Sequence, residues 1–529
     1  MQQTTAGGFV PPVPRREVVF RMGPSDKIVL RPLLTVLAVA ALTLSLAPVS
    51  SAAPLKGDVN GNGAVDLGDV ILVLRMSVGT LAPSADQKTA ADVAPAVGWG
   101  QPVGDKRVTV ADAVRILSSI VGLVAVQDLD VVPTGARYIG ADVCKGCHTS
   151  KHTSWLTTRH KDAYTNLKAY EGGANANNPV CLACHTVGFG QEGGFVDEQT
   201  TPGMGGVQCE SCHGPGSLHV QGGGDKTKIL GYPKALAAQV CGKCHTGSHQ
   251  PHYDEWLQSK HVDIEPHVAS YFQQGRYADR CGICHSAQVK LAVLEEQPLP
   301  DAKTLEFAVP CAMCHSPHKA TGNDPAPRQG HDSQLRFTTS SLDVTKPNLC
   351  GQCHTRRDDD VWTKVSRPPH HSGQFAFLLG TGGFLKTEDQ PRTTHVFAQG
   401  QCVKCHMYSK EFESEEKPAI KGHTYKPDVR ACSPCHTPED AEARIKATQD
   451  GIKADLDALK ARLDSWGNWE FQSNRGPQDQ NVIPDQVKQA RWNYYWVLNE
   501  GSYGVHNAKY ARELIKTAHA VLDEIGVAK

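Results

Sequence analysis

The stretch "CESCHGPGSLH", Cys209–His219, sets two cysteines either side of two residues, a histidine directly after the second, and another histidine six positions on. The Cys-x-x-Cys-His pattern recurs nine times and uses all 18 cysteines of the chain. The pairs are Cys144/Cys147, Cys181/Cys184, Cys209/Cys212, Cys241/Cys244, Cys281/Cys284, Cys311/Cys314, Cys350/Cys353, Cys402/Cys405 and Cys432/Cys435. The histidines that follow are His148, His185, His213, His245, His285, His315, His354, His406 and His436. Whatever chemistry this spacing serves organises most of the 529 residues.

Three chemistries use paired cysteines. Disulfides explain the even count and leave the nine histidines without a role. Structural zinc takes two knuckles per ion, and nine is odd. Covalent attachment of c-type haem needs two thiols that reach the porphyrin vinyl groups and an imidazole below the iron, which this spacing supplies. Composition agrees with that third reading. Aromatic residues make up 6% and glycines number 49, thin material for a side-chain core, so haem faces are expected to fill the interior. A formal net charge of −1 gives no reason to expect nucleic acid as a partner. The expected cofactors are therefore nine c-type haems. The expected fold is mainly α with extensive loops, organised around stacked haems, with long C-terminal helices and a small all-α domain ahead of them.

Residues 1–53 read as a leader. Lys27 and Arg31 precede the apolar run "PLLTVLAVAALTLSLAP", and "SSAAP" offers small residues for cleavage near Ala53. The run is short for a membrane span, and Met22 is a plausible true start. Export is expected, to the periplasm or the cell surface, with membrane contact only through an uncleaved signal peptide.

"DVNGNGAVDLGD" matches a twelve-residue calcium loop: Asp58, Asn60, Asn62, Ala64 through its carbonyl, Asp66 and Asp69 supply alternating oxygens to one hard cation. The helix-forming "VILVLRMSVG" follows, and the unit repeats in "TVADAVRILSSIVG", where Asp112 answers Asp69. In the degraded second loop, Asp92 and Asp105 flank an insertion. Two such loop–helix units resemble the dockerin module, here assigned to residues 54–122, with a linker over 123–137. The resemblance implies a cohesin-like partner held through loop positions 10 and 11. Those are Leu67, Gly68, Val110 and Ala111, unlike the hydroxyl pairs of cellulosome dockerins, which argues against a sugar-degrading assembly and leaves open a calcium-stabilised tether to another surface or to the same chain.

Between the motifs lie broken, polar connections such as "EGGANANN" and "GFGQEGG". An internal repeat, Trp155–His160 and Trp256–His261, spells Trp-Leu-x-(Thr/Ser)-(Arg/Lys)-His. With "CHGPGSLH" and "GHTYKP", these features resemble the multihaem cytochrome c superfamily, which includes hydroxylamine oxidoreductase, its four-haem acceptor cytochrome, octahaem tetrathionate reductases and ammonia-forming nitrite reductases. The resemblance covers roughly residues 138–529. We divide it into a nine-haem domain over 138–440 and a helical region over 441–529. Thr437 reads as an N-cap, Pro438 as the first helical residue and Asp440 as the closing member of a capping box. Ile445, Ile452, Leu456, Leu459 and Leu463 follow helical spacing. A second helix runs from near Pro484 to Glu500, and a third begins near Asn507 after "GSYGVHNAKYA", a link similar to the loop before the last helix of the nitrite reductases.

The sixth iron ligand decides whether a haem passes electrons or binds a substrate. Of six methionines only Met204 and Met407 fall outside the leader, the calcium module and the motifs. Of 24 histidines, 15 lie outside the motifs, against nine vacancies. His160, His219, His261, His318 and His423 are the leading candidates, followed by His249, His252, His370, His371, His395 and His506. Three functions stand open. One is an exported carrier of electrons between redox proteins, other cytochromes or quinol-linked donors. Another is an oxidoreductase of a small nitrogen or sulfur compound at one open haem. In the third, the calcium module docks the cytochrome on a surface complex. No motif carries the Cys-x-x-Cys-Lys that marks the active haem of nitrite reductases, and the resemblance to hydroxylamine oxidoreductases would place a tyrosine crosslink that 13 tyrosines leave undefined.

Overall fold

A computed structural model describes residues 55–94, 106–120, 135–323, 334–387 and 390–528. The leader over 1–53, Asp105 and most of the 123–137 linker lie outside these. Among the described residues helices are the regular structure; pairing between extended segments is confined to isolated bridges such as Thr186–Gly205 and Lys410–Ile420.

The two expected loop–helix units are α1 (Leu67–Ser77) and α2 (Val110–Ile120). Asp66 caps α1, accepting from the Gly68 amide at 2.7 Å, and Asp69 answers by accepting from the Asp66 amide at 2.8 Å. Val70, Val73 and Met76 of α1 meet Ala113 and Ile116 of α2, with Val59 and Val93 closing the core. The loops follow the same pattern twice. Asp69 Oδ1 accepts from the Val59 and Asn60 amides, and Asp112 Oδ1 accepts from those of Val93 and Ala94. Asp58 takes the Gly61, Asn62 and Gly63 amides, while Asp92 takes that of Lys106.

From Gly135 to Cys435 the described helices are short, from three to eight residues, and are broken by glycine-rich turns. Apolar clusters are correspondingly small: one holds Tyr164, Leu167, Leu182, Val187, Phe195 and Met204, another Phe375, Leu378, Leu379 and Val396. Neither is large enough to order this length of chain by apolar burial alone.

The C-terminal region is built differently, from α3 (Pro438–Trp466), α4 (Asp485–Glu500) and α5 (Ala508–Glu524). Thr437 caps α3 as expected, accepting from the Asp440 amide at 3.2 Å. The reciprocal half of the box differs, because the Asp440 carboxylate is taken by His436 and Arg444. Ile452, Leu456, Leu459 and Leu463 line the buried face of α3 against Val497, Leu514, Ala518 and Leu522. The buried Asn493 amide is fully engaged, joining the backbone of Phe384 to Leu514. Arg491 donates to the Trp469 and Glu470 carbonyls and stacks on Phe471 at 4.1 Å. Gly382, at φ +97°, lets the Trp496 ring approach to where a Cβ would stand only 2.4 Å away.

Leu459→Ala removes a side chain that is fully buried between α3 and its neighbours. It is expected to cost about 2–5 kcal/mol and to accelerate hydrogen exchange throughout α3–α5, read by mass spectrometry.

Candidate haem-attachment sites

The motifs fold as helical turns, except the ninth, where the turn ends at Cys432 and Ser433 is extended. The histidine amide donates to the carbonyl of the first cysteine: His148 to Cys144 at 2.9 Å, His245 to Cys241 at 3.0 Å, His354 to Cys350 at 2.8 Å. Residues at i, i+3 and i+4 share one helix face, so both thiols and the imidazole project together. Gly351 within the seventh motif allows the Phe375 ring to lie against that turn, where a Cβ would meet it at 2.7 Å. No disulfide joins any two of the 18 cysteines, and among the described residues no three His, Cys, Asp or Glu side chains gather as a metal site.

The thiols are not equally enclosed. Most are half-buried, but Cys147, Cys405 and Cys435 are exposed. The helix that carries Cys144 ends at Lys145, so Cys147 sits in the turn beyond it, its amide on the Cys144 carbonyl at 3.2 Å. Cys144 turns inward to Cys209, and Cys147 is left on the outer side of the turn. Cys405 and Cys435 belong to the last two motifs, so the exposed thiols fall at the two ends of the motif series.

The imidazoles are oriented by their Nδ1 atoms. Nδ1 donates to a carbonyl in His185 (Ala163, 2.9 Å), His213 (Leu230, 2.5 Å) and His406 (Tyr425, 2.9 Å). His354 uses Gln374 Oε1 at 3.3 Å, and His436 uses Asp440 Oδ2 at 3.1 Å. His219 and His423 do the same toward Asp225 and Lys421, and His506 toward Glu500. A proton fixed on Nδ1 leaves the Nε2 lone pair for a metal. Burial holds His160, His261 and His318 down to about 4 and His423 to about 3, so these rings are neutral donors near pH 7.

Six motif histidines face a second imidazole at nearly constant spacing. Ring centres are 6.3 Å apart for His148–His219, 6.0 Å for His213–His318 and 6.2 Å for His245–His160. They are 6.3 Å apart for His315–His423, 6.2 Å for His354–His261 and 6.0 Å for His406–His506. Two rings bound through Nε2 to one metal, with bonds of about 2 Å, stand about 6.3 Å between centres. Side chains in direct contact would be closer: His370 and His371 stack at 4.2 Å. The donor set therefore fits an iron held between two imidazoles.

A family model described as "Cytochrome c554 and c-prime" matches residues 143–214, the first three motifs. The multiheme cytochrome MtrA of Shewanella baltica is 26% identical over 246 residues, covering 42% of this chain and 66% of that protein. Cytochrome c-554 of Nitrosomonas europaea is 39% identical over 93 residues, 15% of this chain and 40% of its own. The chain thus spans two thirds or less of these relatives' lengths. In fold it is similar to the outer cell wall cytochrome OcwA, with a TM-score of 0.52 at 21% identity, covering 73% of this chain and 99% of that one. An undecaheme S-layer cytochrome of Carboxydothermus ferrireducens gives 0.51 at 18% identity, covering 89% and 82%. The chain is a multihaem c-type cytochrome.

In this cytochrome the remaining sequence candidates stand elsewhere. His249 stacks on Phe412 at 3.6 Å. His252 lies edge-on to both His245 (5.3 Å) and His423 (5.0 Å), between two of the pairs. His370 meets Ser372 Oγ through Nδ1, and His371 leans toward Glu265. His395 is near His436, which together with burial holds its imidazole below the ordinary value. Residues that sequence reasoning missed include Glu500 and Asp440, which orient His506 and His436, and His152, which is buried beside Trp155. The signal for His152 was its place ahead of Trp155, matching His252 ahead of Trp256.

The repeat seen in sequence is a structural repeat of the cytochrome. Trp155 Nε1 donates to the Val207 carbonyl at 3.0 Å, and the Val207 amide to His160 at 2.8 Å. Trp256 Nε1 donates to Val309 at 3.0 Å, and the Val309 amide to His261 at 3.2 Å. Both valines lie two residues before a motif. Thiol contacts repeat likewise. Cys144 reaches Cys209 as Cys241 reaches Cys311, and Cys184 reaches Cys244 as Cys284 reaches Cys353. Cys350 then reaches Cys402, and Cys405 lies near Cys432. With Cys212 within electrostatic reach of Cys241 and Cys314 within that of Cys350, the motifs follow one line, first–third–fourth–sixth–seventh–eighth–ninth. The second branches off at the fourth and the fifth at the seventh.

Because Trp155 and Trp256 make equivalent bonds, Trp155→Phe and Trp256→Phe are each expected to lower stability by about 1 kcal/mol. Denaturant midpoints should fall equally for the two, and additively in the double variant.

Proposed function

We propose that this is an exported electron-transfer cytochrome carrying nine covalently bound c-type haems, most of them held between two histidines. The observation that carries the reading is the set of six imidazole pairs at 6.0–6.3 Å, each joining a motif to a histidine outside it. In each motif the two cysteines would hold the porphyrin and the following histidine the iron. His219, His160, His318, His423, His261 and His506 would close the opposite faces of the first, fourth, third, sixth, seventh and eighth sites. The bound haems supply one-electron chemistry. The chain sets its direction: the line of adjoining thiols makes a route along seven motifs with two side stations, and paired imidazoles favour low potentials, since methionine is the ligand that raises them. Multihaem cytochromes of this kind exchange electrons with other redox proteins, and such proteins are the proposed partners.

Export is supported by the names of the fold neighbours, an outer cell wall cytochrome and an S-layer cytochrome. Among the described residues no helix is long and apolar enough to cross a membrane. Domain boundaries at 54–122 and 138–529 accompany this reading.

For the first of these domains we propose calcium binding and docking. The duplicated hydrogen bonding of Asp69 and Asp112 supports two related loops, with Asp58, Asn60, Asn62, Ala64 and Asp66 around the first and Asp92 and Asp105 in the second. Leu67, Ile71, Leu74 and Val78 of the first unit, with Val110, Val114 and Leu117 of the second, leave apolar side chains exposed. A tether that covers them, cohesin-like or otherwise, would account for that surface.

The intact mass of mature protein is expected to exceed its polypeptide by nine porphyrins; fewer would remove the count. His219→Ala should turn one low-spin ferric signal into a high-spin one in low-temperature electron paramagnetic resonance, with haem content unchanged. An unaltered spectrum would exclude His219 as a ligand. Chelation of calcium is expected to lower the unfolding temperature of residues 54–122 and leave the haem spectrum as it was.

A further inference from the structure

The "GHTYKP" stretch noted in the sequence touches imidazoles of three consecutive sites on the main line. Glu255, buried in the short helix His252–Trp256, accepts from the Lys421 amide at 2.9 Å and from the His423 amide at 2.7 Å. Gly422 lies against Met407, the residue after the eighth motif, where a Cβ would meet the Met407 Cα at 2.5 Å. With the segment fixed in this way, His423 faces His315 of the sixth motif, and the Tyr425 carbonyl accepts from His406 Nδ1 of the eighth at 2.9 Å. The Tyr425 ring meets His261, which faces the seventh motif, at 4.5 Å and 66°.

Two observations give that ring contact a use. Tyr425 has φ +57°, a left-handed backbone that strains a bulky residue and that glycine or asparagine adopts readily. A tyrosine kept under such strain points to its side chain. The second observation concerns His261. His423 and His406 are oriented by hydrogen bonds from Nδ1, whereas His261 Nδ1 is buried and among the described residues meets no hydrogen-bond partner. The edge-to-face contact with Tyr425 stands where that bond would otherwise orient the ring. The outcome is visible in the angle between paired rings. It is 7° at the third site, 20° at the first and 26° at the sixth, but 47° at the eighth, 52° at the fourth and 57° at the seventh. The pair that Tyr425 touches through its ring is the most twisted of the six.

We propose that Tyr425 is a positioning residue whose ring holds the His261 imidazole twisted against His354, giving the seventh haem an electronic character distinct from that of the near-parallel first, third and sixth. This rests on the haem reading above and deepens it. The angle between two axial imidazole planes sets the splitting of the iron d orbitals, so a neighbour that fixes one plane fixes the ferric signal.

The test is low-temperature electron paramagnetic resonance of the oxidised mature holoprotein, with haem content measured in parallel. The low-spin signal removed in His261→Ala identifies the seventh site, and the one removed in His160→Ala identifies the fourth, which is twisted without Tyr425. In Tyr425→Gly and Tyr425→Asn, both suited to the left-handed backbone, the seventh-site signal is expected to shift and broaden as the ring samples a range of angles. The fourth-site signal and the haem content should stay unchanged. Tyr425→Phe keeps the ring and should leave both signals as in the wild type. Two results would overturn the proposal: a seventh-site signal unmoved in Tyr425→Gly and Tyr425→Asn, or the same shift in Tyr425→Phe, which would assign the effect to the hydroxyl group. If His261→Ala removed no low-spin signal, the pairing of His261 with the seventh iron would fall first, and this proposal with it.

Discussion

The spacing of 6.0–6.3 Å between paired imidazoles is the constraint on which the haem region depends. It is wider than the 4.2 Å of the stacked His370–His371 pair and right for a shared iron, and it recurs between segments far apart in the chain. His160, after the first motif, faces the fourth; His261, after the fourth, faces the seventh. In the opposite sense His318 faces the third motif and His423 the sixth. Consecutive repeats are thus cross-strapped in both directions. In the proposed arrangement each iron ties two of them, doing for this region what a large apolar core does for an ordinary domain.

The C-terminal helices solve the complementary problem with side chains alone. Their core of Ile452, Leu459, Trp496, Val497 and Leu514 is continuous, and the Asn493 amide within it is paired. That rigidity reaches the last pair. Glu500 at the end of α4 takes the Ser502 amide and the His506 imidazole, and Asn507 caps α5 by accepting from the Tyr510 amide at 3.0 Å. His506 is held between two helix ends. The competing effects on its protonation resolve upward, because Glu500 outweighs burial. The same carboxylate therefore sets both the position of the ring and its electronic character.

Much was legible beforehand for identifiable reasons. Cys-x-x-Cys-His is local, one helical turn, so the attachment chemistry could be read without any tertiary information. How enclosed each thiol is was not legible, because Cys144 and Cys147 share a motif and differ only in which side of the turn meets the next one. The long helices announced themselves through the period of Ile452, Leu456, Leu459 and Leu463, and their ends through Thr437, Pro438, Gly501 and Asn507. The repeat around Trp155 and Trp256 was visible as words, and the structure gives each the same bond to a valine carbonyl. The expected capping box at Asp440 turned out half-made, because a neighbouring imidazole and guanidinium compete for that carboxylate.

The sequence by itself determined which residues can carry haem and how many such places there are, since those depend on neighbours three and four positions apart. It also favoured histidines as the proposed outer ligands by leaving few methionines. Which histidine faces which motif, and the branching order in which the motifs adjoin, were decided only by tertiary structure. Those relations join residues from tens to about a hundred positions apart, and the spacing of a flexible, glycine-broken chain carries no record of where its segments return.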